Sequence, residues 1–145
     1  QYFVWKVRYS MENRYLYRAK RLDNGEWVIG YLSYPCCTKK GAESYYFYAK
    51  DILGFYCRCI VDASTICQCV GLKDKNGKLI WENDICRYYN SEDGDGIGII
   101  KNDYVLWKKG TISVKHKMTP LFYLQCHDEW EVIGNIFDNP ELLEV

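Results

Sequence analysis

Two carboxylates two residues apart, Glu82 and Asp84, follow Trp81 and form the sharpest acidic pair in the chain. Such a pair can divide general-acid and general-base work or hold a divalent ion. The plainer account is a corner between strands, where an aspartate accepts backbone N–H bonds and fixes the turn. Asp93-Gly94-Asp95-Gly96 has acidic spacing reminiscent of a calcium loop but lacks the remaining ligand positions and the distant glutamate, so it reads as a hairpin loop. His116 and His127 are the two histidines of the chain. Cys126 and His127 are adjacent, and neighbours on a strand point to opposite faces, so they cannot form a nucleophile–base pair. No G-x-S-x-G string occurs, and no nucleophile, base and oxyanion donors converge. The expectation is a protein that is not an enzyme and needs no cofactor.

The eight cysteines raise metal chemistry. Cys57-Arg58-Cys59 and Cys67-Gln68-Cys69 each place two sulfurs on one face of a strand. Four thiols would meet if those strands paired, but structural zinc takes its pairs from C-x2-4-C turns, which this spacing does not match. The reading preferred is that Cys57, Cys59, Cys67 and Cys69 are small core hydrophobes and that no metal is held. Cys36-Cys37 follows Pro35 in a segment read as a loop over residues 35–43. The first residues lack an apolar signal-peptide core, and reduced thiols fit a cytoplasmic protein.

A second chemistry is stacking on bases. Lys108, Lys109, Lys115 and Lys117 lie near Tyr104 and Trp107 in sequence, and a basic strip with aromatics is how small β-barrels hold single strands. Against it, 19 basic and 19 acidic residues give a formal net charge of zero, so no global field draws in a polyanion.

These residues need a scaffold, and its class is legible. Aromatic residues are 17% of the chain, there are only four alanines, and Ile and Val are frequent, a mixture suited to pleated surfaces. At 145 residues the chain is one domain's length, and no apolar run is long enough for a membrane helix. Alternation predicts strands over residues 2–9, 15–21 and 26–32, the last two joined across Asp23-Asn24-Gly25 in a hairpin spanning 15–34. Further strands are predicted over 45–48, 55–61, 65–72 and 79–81, with Asp74, Asn76 and Gly77 in the turn between the last two. Glu82-Asn83-Asp84 breaks the chain before strands at 85–89, 98–100, 104–107, 111–114 and 130–136. Asn139-Pro140 reads as a helix cap with Pro in the first turn. The fold expected is all-β, a small SH3-like barrel or curved antiparallel sheets with one or two short helices, the barrel being the leading form.

Thr65-Ile66-Cys67-Gln68-Cys69-Val70-Gly71-Leu72-Lys73-Asp74-Lys75-Asn76-Gly77, with Trp81-Glu82-Asn83-Asp84-Ile85, resembles the signature of the YopX family, T-V-G-Q-[YF]-T-G-L-K-D-K-N-G-K-x-I-[YFW]-E-G-D-I. Residues 17–28 and 130–143 resemble its opening and close. The resemblance implies a small, mainly-β protein of phages or prophages, cytosolic in the bacterial host, with no catalytic residues to carry over. Cys67 and Cys69 stand where the family has Gly and an aromatic residue, which weakens the metal idea further. Asn83 replaces a family Gly and would keep a left-handed turn. Residues 1–10 lie outside the resemblance, as an edge strand or extension, and 11–145 are expected as one domain. The expected role is binding a host protein or small ligand as a homo-oligomer, since strand-rich chains leave edges to pair. The alternative is a nucleic-acid-binding barrel.

Overall fold

In a computed structural model of the chain, residues 15–33, 36–37, 43–50, 53–88, 96–101, 105–109, 115–116 and 130–143 are described. All their strand pairings are antiparallel, and their helical content is confined to short 3-10 turns such as Ala63–Thr65 and Pro140–Leu143. The all-β expectation therefore holds. Two compact units divide the described chain, Tyr15–Cys69 and Val70–Val145.

The first unit contains β1 (Tyr17–Lys20), β2 (Trp27–Leu32), β3 (Cys36–Cys37), β4 (Glu43–Lys50), β5 (Tyr56–Val61) and the start of β6 (Cys67–Lys73). Phe47 pairs with Leu32 on one side and Cys59 on the other, and Tyr17 pairs with both Gly30 and Gln68. The order is thus β5-β4-β2-β1-β6, with β3 beside the start of β4. Period-two alternation sends Tyr17, Ala19, Val28, Tyr45, Phe47, Cys59 and Val61 inward, where they pack with Ile66.

This sheet curls. The far end of β5 returns to the end of β1: Arg21 bridges Val61, the Leu22 N–H donates to the Ile60 carbonyl at 3.1 Å, and the Asp62 N–H donates to the Lys20 carbonyl at 2.8 Å. The contact spans a few residues at one end and no continuous ladder joins the strands, so the unit is a curved sheet rather than a closed barrel. Gly30 allows a close approach between neighbouring strands. A Cβ there would run into the backbone carbonyl of Tyr48, so only glycine lets β2 pass this close to β4.

The second unit holds a five-stranded sheet in the order β11-β10-β9-β8-β12, from β8 (Asp84–Tyr88), β9 (Gly96–Ile100), β10 (Val105–Lys109), β11 (Lys115–His116) and β12 (Trp130–Asn135). The end of β6 and β7 (Leu79–Trp81) belong to this unit but not to the five-stranded sheet. Its core joins Leu72, Ile80, Cys86, Ile100 and Trp130, with Val70 and Val132 packed alongside. Register shifts at Trp107/Lys109 and Val132/Gly134 mark bulges, which bend β10 and β12.

Three local expectations change. Residues 36–37, read as loop, form β3 against Ser44 and Glu43, because β4 begins early enough to supply a partner edge. Thr65 closes a 3-10 turn instead of opening β6, since the Asp62 side chain caps that turn by accepting from the Ser64 N–H. Asn139 precedes a 3-10 turn, but its side chain reaches back to the Asn135 N–H rather than capping forward. The strands expected over 2–9 and 111–114 lie outside the described residues.

Candidate functional site

The acidic signature residues sit at two corners of the second unit, and their carboxylates are occupied by backbone. Asp74 is buried. Its Oδ1 accepts from the N–H groups of Asn76 and Lys78, both at 2.9 Å, and its Oδ2 accepts from the Val132 N–H at 3.0 Å. Gly77, at φ 80°, closes the three-residue loop, its N–H donating to the Asp74 carbonyl. At the next corner the buried Asp84 accepts from the Trp81 N–H at 2.8 Å. Asn83 adopts φ 66°; its N–H donates to the Ile100 carbonyl and its own carbonyl accepts from the Ile136 N–H. Glu82 is half-buried in the same turn. These groups hold loops to strands, the work such carboxylates do in turns.

The thiol pairs are not gathered into one ladder: β5 pairs with β4, and β6 with β1. Cys57 is exposed, whereas Cys59, Cys67 and Cys69 are buried. The Cys59 thiol donates weakly to the Phe47 carbonyl at 3.8 Å, and the Cys67 thiol to the Thr65 carbonyl at 3.3 Å. Burial pushes the Cys59 thiol above the usual cysteine range. Among the described residues no group of three or more His, Cys, Asp or Glu is placed to hold a metal.

Of the basic strip, Trp107, Lys108 and Lys109 lie on β10 and Lys115 on β11, with Leu106 opposite Lys115. Tyr104 and Lys117 fall outside the described residues.

A different surface carries the exposed aromatics. Residues directly opposite in an antiparallel pair share a face, so the register places Arg18 and Lys20 of β1, Trp27, Ile29 and Tyr31 of β2, Tyr46 and Tyr48 of β4, and Tyr56, Arg58 and Ile60 of β5 on the outside of the curled sheet. Ile29, Tyr31, Tyr48, Tyr56 and Ile60 are between 42% and 59% exposed, an apolar density that a folded surface rarely leaves without use. Tyr31, Tyr48 and Arg58 form one transverse row across three strands. The Arg58 guanidinium lies 4.6 Å from the centre of the Tyr46 ring. Arg18 and Lys20 both lie over Trp27, at 4.8 and 5.4 Å. Leu16, Ile29, Tyr31, Tyr48 and Tyr56 line a shallow groove of about 220 Å³ with the Gly30 backbone in its wall.

Sequence reasoning missed this face. The alternating strings 46–48 and 56–60 carried a signal, but Tyr45, Phe47 and Ala49 are apolar too, and nothing in one strand says which set is outside.

The chain is an all-antiparallel β protein whose exposed ring-and-cation face is built on a curled sheet. It belongs to the YopX protein family, which it matches over residues 16–144. A crystal structure of protein EF1440 from Enterococcus faecalis is similar, with 24% identity and a TM-score of 0.49, covering 88% of this chain and 96% of that one. No curated protein is significantly similar to it. Among the described residues, no helix is long and apolar enough to cross a membrane.

Proposed function

We propose that this protein is a phage or prophage accessory protein that acts by binding, and that the outer face of the first unit is its binding surface. One observation carries the reading: Ile29, Tyr31, Tyr48, Tyr56 and Ile60 are exposed together on one face, around a groove. Tyrosine supplies large contact area with a polar tip and little conformational freedom to lose, which is why it is enriched where proteins bind. The buried aspartates of the signature support the same division of labour, since Asp74 and Asp84 are engaged in holding turns.

Hydroxyl-radical footprinting tests this even while the partner is unidentified. Pure protein and protein in bacterial cytosolic extract are labelled in parallel, normalised to Leu22, which is 62% exposed in the hairpin turn. Tyr31, Tyr48 and Tyr56 are expected to lose reactivity in extract. Equal labelling in both samples would remove the face as a binding surface.

A further inference from the structure

We propose that two copies of the chain close on one another through the first unit, each inserting the apolar tip of its β4–β5 hairpin, Leu53-Gly54-Phe55, into the groove between Tyr31, Tyr48 and Tyr56 of the other. The inference rests on the reading of the outer face as the binding surface and names an occupant for it, a second copy.

The tip supplies the knob. Strands β4 and β5 pair up to Lys50 and Tyr56, and beyond that pair Leu53 is 75% exposed and Phe55 69%. Turns between strands are ordinarily built from glycine and short polar residues, so two large apolar side chains flanking Gly54 mark a surface with a use. A Cβ at Gly54 would meet nothing within 4 Å, so the tip projects into open space.

The hole lies on the same unit. The groove of about 220 Å³ is smaller than the roughly 300–1,000 Å³ of sites that enclose a whole small-molecule ligand, and it suits an inserted apolar side chain. Its lining residues carry no charge, and neither do Leu53, Gly54 and Phe55, so insertion strips water from no ion. Arg58 over Tyr46, and Arg18 and Lys20 over Trp27, stand outside the groove lining.

Placement makes the pair close. Tyr56 lines the groove and is the next residue after Phe55, so knob and hole are neighbours on one hairpin. A two-fold axis between them sets each tip in the other copy's groove, and such an isologous contact ends at two copies. A knob far from its hole would instead build an open head-to-tail chain.

Area selects the occupant. Ile29, Tyr31, Tyr48, Leu53, Phe55 and Tyr56 are between 44% and 75% exposed. At roughly 200 Å² for a fully open residue of this size, they offer about 700 Å² per copy. A symmetric pair would cover about 1,400 Å², inside the roughly 1,200–2,000 Å² of stable specific interfaces. A small ligand seated in the groove alone would leave Leu53 and Phe55 in water, whereas a second copy covers groove and tip together.

The test is sedimentation velocity of the full chain over a concentration series, with hydroxyl-radical footprinting at each concentration. A monomer–dimer equilibrium in the micromolar range is expected, with Tyr31, Tyr48, Leu53 and Phe55 losing reactivity together as the dimer forms. Phe55→Asp, on the exposed tip, should weaken the dimer by roughly tenfold or more, and Tyr31→Asp, in the groove, should do the same. If Tyr31→Asp lowers the unfolding midpoint, Ile29→Asp serves as the groove variant, since Ile29 is 51% exposed. Each variant keeps the element that the other has lost, so mixing a tip variant with a groove variant should restore one of the two contacts and associate more tightly than either alone. A chain that stays monomeric throughout, growth past the dimer, a dimer that leaves Tyr31 and Phe55 fully reactive, or a mixture that gains nothing would each overturn the proposal. If the copies stay apart while Tyr31, Tyr48 and Tyr56 of dilute protein are protected in extract, the occupant is a different molecule and the binding surface stands. If neither concentration nor extract protects them, both readings fall.

Discussion

The carboxylate of Asp74 accepts a hydrogen bond from the backbone of Val132, at 3.0 Å and 58 residues away in sequence. The same side chain holds its own turn through Asn76 and Lys78, and the neighbouring Lys75 N–H donates to the Trp130 carbonyl at 2.9 Å. One buried acid thus ties the Lys75–Gly77 loop to β12.

Asp74→Ala leaves three backbone N–H groups without their acceptor. Stability should fall by roughly 2–4 kcal/mol, because water can reach the turn amides more readily than Val132. Asp74→Asn keeps one oxygen and should cost about half as much. The urea unfolding midpoint checks this, and an unchanged midpoint for Asp74→Ala would show that the long-range bond is dispensable.

Asn83, at φ 66°, occupies the left-handed region that a β-branched residue enters only under strain. Asn83→Val is expected to cost about 1–2 kcal/mol from backbone conformation. Asn83→Gly should stay within about 1 kcal/mol of wild type despite losing the side-chain contact with Lys101. Thermal unfolding of the two variants side by side separates backbone strain from the lost contact.

Gly30→Ala puts a methyl group against the Tyr48 carbonyl, in a stretch of β4 clamped by Tyr31 on one side and Arg58 on the other. Neither strand can step aside without losing ladder bonds, so a loss of roughly 1–3 kcal/mol is expected. A variant as stable as wild type by denaturant titration would mean that the close approach of β2 to β4 is softer than the geometry implies.

Thiol reactivity should divide the described cysteines. Iodoacetamide at neutral pH is expected to modify Cys57, which is exposed, and to spare Cys59, Cys67, Cys69 and Cys86 until denaturant is added. For Cys59, burial also disfavours the thiolate, so its contribution to stability is present below the unfolded thiol pKa and is lost as pH rises above it. Peptide mass spectrometry after brief alkylation reads the pattern directly; rapid native labelling of Cys59 would contradict its burial.

Arg21 and Asp23 form a two-bond ion pair at 2.6 and 2.9 Å in the first hairpin turn. The hydrogen bonds from Arg21 hold the Asp23 carboxyl below the usual carboxylate value. A depressed folded pKa stabilises at pH above the unfolded value, and that contribution disappears as pH falls through the folded one. Because the pair is open to solvent, added salt should move the Asp23 midpoint, followed by NMR, back toward that of a free carboxylate. A midpoint insensitive to salt would mean that the geometry, rather than charge, holds the proton off.

Much of the scaffold was legible in sequence because its signals are local. Alternation marked β1, β2 and β5, Asn76-Gly77 marked a turn that needs one positive φ, and Asn83 marked a corner that tolerates another. Asp74 was legible as a turn residue, since an aspartate beside an Asn-Gly pair bonds to the backbone just ahead of it. Its bond to Val132 was not, because nothing near residue 74 encodes which distant strand will arrive.

The outer face was decided by tertiary structure for the same reason. A strand sequence states that residues 46 and 48 share a side and that 45 and 47 share the other, but both sets here are apolar. Only the curl that returns β5 to β1 turns Phe47 inward and leaves Tyr31, Tyr48 and Tyr56 together in solvent. By itself the sequence determined most of the described strands, the Asn-Gly turns and the family, all of which depend on residues close in the chain. Which aromatic rings meet on one surface depends on register between strands, and that is fixed by long-range packing.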